Sequence, residues 1–255
     1  MTSKAAGNDM TVDELIATLK RSSLPTVLTE GGDDIIVFRW MEKSFTNIGL
    51  SVLAVGGRDK LLQLFSRRNE YENETGVAFI ADKDSWVFGA VPAEYEIDNL
   101  IFTWGYSIEN DLYSDGDVER ILSNDERHNY KIELQKYLKW YALAISRFLA
   151  GLDQGLGIHP NEILDNDARM QQGCELLQNE IYPDELFGKI SDNYVQMVRG
   201  KSLFALLMRH LSYAGRPVRH NHKSIIEIVA SAEGPLMKAI YGRIGDIFGA
   251  ASNTA

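Results

Sequence analysis

The chain has 255 residues, 45% of them hydrophobic, a formal charge of -10 and a single cysteine. That length suits one large domain or two small ones with a buried core, while the lone Cys174 excludes an intramolecular disulfide and a paired-cysteine zinc site. No apolar run approaches the roughly 20 residues that cross a bilayer, and the polar start Met1-Thr2-Ser3-Lys4 lacks a secretory signal's apolar region, so a soluble, cytoplasmic protein in a reducing compartment is expected.

Residues 1–23 read as an N-terminal arm or helix. A strand is predicted at about 25 to 30, and it runs through Gly31-Gly32 into a helix from Asp34 to about Ser44, with Asp33 as a plausible N-cap. A second strand, Leu50 to Val55, ends at Gly56-Gly57 before a helical segment containing Lys60 to Phe65. A third, Gly76 to Ala81, delivers Asp82 and Asp84; a fourth, Leu100 to Trp104, delivers Tyr106 to Asn110. Strands alternating with helices favour an α/β fold with a mostly parallel sheet, in which ligands sit beyond the carboxyl ends of the strands.

Beyond about Asp117 the pattern becomes helical. Tyr130 to Leu149 carries apolar residues at three- and four-residue spacings. A glycine-rich break follows at Gly151 to Pro160, and then helices at Asp165 to Ile181, Ile190 to Ala214 and Ser224 to Phe248. The expected organisation is an α/β catalytic domain at 24–116 and an all-helical domain at 117–255, with loose ends over the first nine and last five residues.

Two acidic clusters stand at strand ends: Glu30-Gly31-Gly32-Asp33-Asp34 and Asp82-Lys83-Asp84. Gathered carboxylates repel one another unless a cation or a proton offsets the repulsion. If extended geometry persists past the third strand, Asp82 and Asp84 face one site with Lys83 turned away. Two carboxylates suit an octahedral magnesium ion that keeps waters and takes further ligands from phosphate. Glu30, on a neighbouring strand, then serves as a metal ligand or as the general base. The bland alternative is a tight glycine turn followed by a capped helix.

The order of these signals, a Glu after the first strand and Asp-x-Asp after the third, resembles the Toprim domain of topoisomerases, primases and overcoming-lysogenization-defect nucleases over Leu24 to Asp115. Four segments combined, Val27 to Asp34, Ala54 to Lys60, Ala81 to Asp84 and Tyr106 to Asn110, look like a Toprim-like family that includes the effector nuclease of the PARIS anti-phage system. Arg199-Gly200-Lys201-Ser202-Leu203 is similar to that family's C-terminal half. The resemblance implies a magnesium-dependent endoribonuclease (manganese being the alternative ion), held inactive by an ATPase partner and cleaving host tRNA once released; a homodimer is expected when it is active, since two half-sites would then be brought together. It implies Glu30 as the catalytic acid/base and Asp82 and Asp84 as catalytic metal ligands. Asp34 and Glu109 are candidates for a second metal, or else for stabilising helix starts.

The charge of -10 weighs against a nucleic-acid partner, yet nine Lys/Arg against four acids lie between Gly188 and the C-terminus. Lys60, Lys201, Arg216, Arg219 and Lys223 are the candidate nucleic-acid contacts, against the commoner reading of solvated helix lysines. Trp86 is a possible base-stacking residue, more simply a packing one. No phosphate-cradling P-loop is present, so ATP hydrolysis belongs to a partner. A DNA-nicking Toprim nuclease and a catalytically inactive binding module are the competing readings.

Overall fold

The computed structural model describes residues 10–31, 35–71, 76–152 and 155–249. Asp33 and Asp34, together with both chain ends, lie outside the described residues, so the expectations placed on them have no structural counterpart. Two compact units divide the chain: residues 1–116 with 226–255, and residues 117–225.

The first unit is α/β. Helix α1 (Val12–Leu19) opens with a Thr11/Glu14 capping box. It is followed by β1 (Thr26–Thr29), α2 (Ile35–Ser44), β2 (Ser51–Ala54), α3 (Arg58–Ser66), β3 (Val77–Ala81), β4 (Leu100–Phe102) and α4 (Ile108–Asp115). All pairings are parallel, in the order β2-β1-β3-β4. Two short 3-10 turns, Asp84–Phe88 and Ala93–Tyr95, connect β3 to β4 in place of a helix.

Period-two alternation sends Leu28 and its neighbours to one face of the sheet, where Leu15, Ile16 and Leu19 of α1 and Leu61, Leu64 and Phe65 of α3 close the core. Of the two readings of residues 1–23, arm or helix, α1 is the helix, packed on that apolar cluster. On the other face α2 packs against β2.

The second unit is helical and built on α5 (Asn124–Leu149), a 26-residue helix capped by Ser123 and Glu126. Then come α6 (Pro160–Leu164), α7 (Asp167–Cys174), α8 (Asp184–Asp192), α9 (Tyr194–Met197) and α10 (Gly200–Leu211). Helices α6, α7, α8 and α10 pack on α5. The final helices are α11 (His222–Ala232), which runs through the unit boundary, and α12 (Pro235–Phe248).

Four expectations need correction. The predicted helix to Ile181 stops at Cys174, because Arg147 binds the Glu175 carbonyl at 2.6 Å and the Glu180 carboxylate, holding the following segment off the helix. The predicted helix from Ile190 to Ala214 is divided among α8, α9 and α10, with breaks at Asn193 and at Val198-Arg199 and an end at Leu211; the second break has a partner far along the chain. There the buried Tyr141 hydroxyl donates to the Met197 carbonyl and accepts from Arg199 N–H, satisfying backbone that the break frees.

The helix from Ser224 to Phe248 breaks at Glu233-Gly234-Pro235, with Pro235 opening α12. A Cβ on Gly234 would lie 2.4 Å from Asp115, whose carboxylate caps α12 by accepting from Leu236 and Met237 N–H at 3.0 and 2.9 Å. This cap, with the edge-on Phe45–Tyr241 ring contact, groups residues from Ile226 onward with the α/β unit, where the sequence reading put an all-helical domain to the C-terminus.

Candidate functional site

Glu30 stands at the carboxyl end of β1. Its carbonyl accepts from Gly56 and Gly57 N–H at 2.9 and 2.7 Å, tying the ends of β1 and β2 together. Those two amides can turn toward one oxygen because both glycines adopt positive φ, 96° and 126°. The Glu30 side chain reaches across to β3, where Oε1 accepts from Asp82 N–H at 2.9 Å.

Asp82 extends the chain of contacts. Its Oδ1 accepts from Ile108 N–H at 2.9 Å, in the first turn of α4, a favourable place for a carboxylate. Ser107 and Asn110 form a capping box at the same turn. The ends of β1, β3 and the β4–α4 connection therefore meet through Glu30 and Asp82.

Asp84 is near, but its carboxylate turns to a different partner from the Ile108 amide that Asp82 binds. The backbone leaves extended geometry at Lys83 (φ -69°, ψ -29°) and enters a 3-10 turn in which Asp84 has φ 47°. The expected alternation thus ends at Asp82. Asp84 instead pairs with Arg58, Nη1 to Oδ2 at 2.7 Å, and the same Nη1 donates to the Asp82 carbonyl at 2.7 Å. The Arg58 guanidinium lies 4.0 Å from the Trp86 ring centroid, and Trp86 stacks on Tyr95. Trp86 is accordingly a packing residue that seats Arg58.

Burial pushes the Glu30 carboxyl up to about 7, the Asp82 N–H bond working against it, with Asp84 raising and Arg58 lowering it further. Asp111, only 1% exposed, is pushed up to about 6 by burial, although it accepts from Trp104 and Gly105 N–H at 2.9 and 2.8 Å. Glu109 is also buried, in the first turn of α4, with no hydrogen bond or ion pair among the described residues.

No group of three or more His, Cys, Asp or Glu side chains among the described residues is arranged to hold a metal ion. The chemistry of the donor set still fits magnesium: Glu30, Asp82 and Asp84 offer hard carboxylate oxygens at neighbouring strand ends, and a cation, Arg58, already sits on one of them. Asp34 lies outside the described residues.

The candidate nucleic-acid residues are dispersed. Lys60 donates to the Met10 carbonyl at 2.8 Å and so fastens the chain before α1. Arg216 is nearly buried against Glu126, Nε to Oε1 at 2.8 Å, which makes it a structural ion pair and not an open phosphate contact. Arg219 spends Nε and Nη2 on the Ser212 carbonyl. Lys201 and Lys223 are exposed in the first turns of α10 and α11.

Sequence reasoning missed Arg58, which joins the site, and the buried Asp111, which holds the loop between β4 and α4. The signal for Arg58 was its place directly after Gly56-Gly57, at the start of α3, from where it reaches past β1 to the end of β3. Asp111 follows the Ser107 capping box, but nothing local marks its two loop amides. Compared with known proteins, the sequence matches no family model and no curated protein.

Proposed function

We propose that the chain is a divalent-metal-dependent phosphodiesterase, a Toprim-type endoribonuclease. The observation that carries the reading is Glu30: a carboxyl poised near neutrality by burial, at the carboxyl end of a parallel strand, hydrogen-bonded to the segment bearing Asp82 and Asp84. When deprotonated, Glu30 takes the proton from the attacking hydroxyl as that oxygen bonds to phosphorus and the P–O bond to the leaving group breaks. Asp82 and Asp84 would hold magnesium or manganese. Such an ion supplies Lewis-acid neutralisation of charge on the phosphoryl oxygens. Arg58 competes for Asp84, since its guanidinium occupies Oδ2 and offsets the charge that another cation would use.

Transfer RNA as substrate and restraint by an ATPase partner rest on the family resemblance; action as a homodimer is proposed beside them, and the cytoplasmic setting follows the single cysteine. No described helix is long and apolar enough to cross a membrane.

The test is cleavage by the purified chain of total tRNA and of supercoiled plasmid in magnesium, with and without chelator. Magnesium-dependent tRNA ends that vanish in Glu30→Ala support the reading. Nicking of plasmid alone replaces it with the DNA-nicking alternative, and undiminished cleavage by Glu30→Ala removes the assignment. A second reading, a module that binds without cutting, is favoured by the Arg58–Asp84 ion pair; it predicts that Asp82→Ala and Asp84→Ala leave cellular function intact.

A further inference from the structure

A cleft of about 230 Å³ opens between α2 and the carboxyl ends of β1 and β2. Thr29 and Gly31, on either side of Glu30 in the chain, both line it, while the Glu30 carboxylate reaches toward the end of β3. Ile35 and Phe38 of α2 and Val52 of β2 form its apolar walls, and its polar groups are Thr29, Arg39 and Glu42.

Each polar group has unspent hydrogen-bonding capacity. Thr29 is 1% exposed, and its hydroxyl has no hydrogen-bond partner. A buried orphan hydroxyl lowers stability and calls for a reason. Valine would fill the same place on the strand without that cost, so a stability argument alone does not select threonine. Arg39 is exposed and makes no hydrogen bond or ion pair among the described residues. Glu42 gives Oε1 to the Val52 N–H at 2.8 Å, on the open edge of the sheet, and has its second oxygen left over.

We propose that this cleft binds a nucleobase of the substrate, with guanine preferred. The inference rests on the nuclease reading and deepens it by naming what the site reads beside the cleaved phosphate. The volume is below the roughly 300 to 1,000 Å³ of sites for drug-sized ligands and so suits a single planar ring system, not a whole nucleotide.

Apolar walls accept the faces of such a ring, as in other sites that hold unstacked bases. The edges decide which base. A carboxylate oxygen accepts from ring N–H and exocyclic amine, and a guanidinium donates to O6 and N7, the pairing that guanine offers. Arg39 and Glu42, three residues apart on α2, are neighbours on one helix surface and address adjoining edges of one ring. The Thr29 hydroxyl is closed off from solvent in the cleft as it stands; uncovered by a small shift of the strand end on binding, it donates or accepts as the ring requires.

The experiment is saturation-transfer NMR on the full chain with GMP, AMP and CMP as probes, without metal so that no cleavage intervenes, alongside thermal melting. The expected result is saturation of the guanine ring proton well above those of adenine and cytosine. Thr29→Val should reduce GMP affinity about threefold to tenfold, the worth of one hydrogen bond, and raise the melting temperature by about 2 to 4 °C, because the orphan hydroxyl is gone. Glu42→Gln keeps an acceptor for Val52 N–H while replacing the free oxygen with a donor, and should abolish the preference for guanine over adenine.

Equal saturation of all three nucleotides overturns the guanine assignment. Absence of saturation overturns the cleft as a base site, and so does unchanged GMP binding in Thr29→Val with a lowered melting temperature, which would assign the hydroxyl to a structural water. The nuclease reading is judged separately by Glu30→Ala cleavage, so a failed cleft with metal-dependent, Glu30-dependent cutting leaves that reading standing.

Discussion

In the helical unit each strongly perturbed carboxylate is held down by a cation. Glu126 sits at about 2 through its hydrogen bond with Arg216, and Glu180 at about 2 through Arg147. Glu133, which burial alone would push up, is brought to about 2 by hydrogen bonds from His210 and Arg209. In the α/β unit exposed Glu14 and Glu70 are likewise held down, by Thr11 and by Arg67, but the two buried carboxylates with the largest shifts go the other way. Burial pushes Glu30 to about 7 and Asp111 to about 6, and the backbone N–H bonds they accept do not cancel it.

The difference teaches where the chain spends stability. Paired carboxylates hold helices together, whereas a desolvated carboxyl beside Asp84 and Asp59 weakens the folded state at neutral pH. Such an arrangement marks a position kept for chemistry.

The comparison is broken most severely by Glu30→Ala. Loss of a general base lowers a rate by about 10²- to 10⁴-fold, measured as tRNA cleavage in magnesium, while the fold should survive with equal or greater stability.

Arg209→Ala attacks the opposite side. Arg209 pairs with Glu133 at 2.7 Å and with Asp165 at 2.7 Å, and Glu133 is part-buried, so its removal should cost about 2 kcal/mol in urea unfolding, a value between exposed and buried pairs. A loss confined to a few tenths would show the network to be ornamental.

The pH dependence has opposite signs in the two units. Glu30, raised from 4.5 to about 7, contributes stability that is full below about pH 4.5 and is lost as the pH rises through 7. Glu133, lowered from 4.5 to about 2, contributes stability that is full above about 4.5 and is lost as the pH falls toward 2. In chelator, Glu30→Gln should exceed the wild type at pH 8 by an amount on the order of 2 kcal/mol, and should match it at pH 4. Calorimetry at both values checks the crossing, and an equal difference at the two pH values would remove the desolvation argument.

The smallest effect belongs to Arg58→Met. Releasing Asp84 from its cation should tighten manganese binding about fivefold, the scale of a partly exposed ion pair, as read by titration calorimetry without nucleic acid. Weaker binding would make Arg58 an organiser of the ligands instead of a competitor for them.

Much of the α/β unit was legible because its signals are local. Four apolar runs ending in glycines or carboxylates, separated by helical spacings, specify parallel strands and put Glu30 and Asp82 at their ends. The helix breaks were less legible where the cause lay far along the chain: Tyr141 supports the break at Val198-Arg199, and Asp115 accepts the start of α12. The Glu233-Gly234-Pro235 break did carry a local sign, the Gly-Pro pair, that the apolar periodicity on either side overrode.

By itself the sequence determined the α/β fold class and the placing of Glu30 and Asp82 at strand ends, since alternation, glycine turns and acidic clusters act within a few residues. Only the tertiary structure decided which partners those carboxylates take. It turned Asp84 onto Arg58, closed Arg216 onto Glu126 and left Thr29 without a partner in a cleft at the carboxyl end of β1. Hydrogen bonding and desolvation depend on what packing brings near, and packing joins residues that sequence spacing keeps apart.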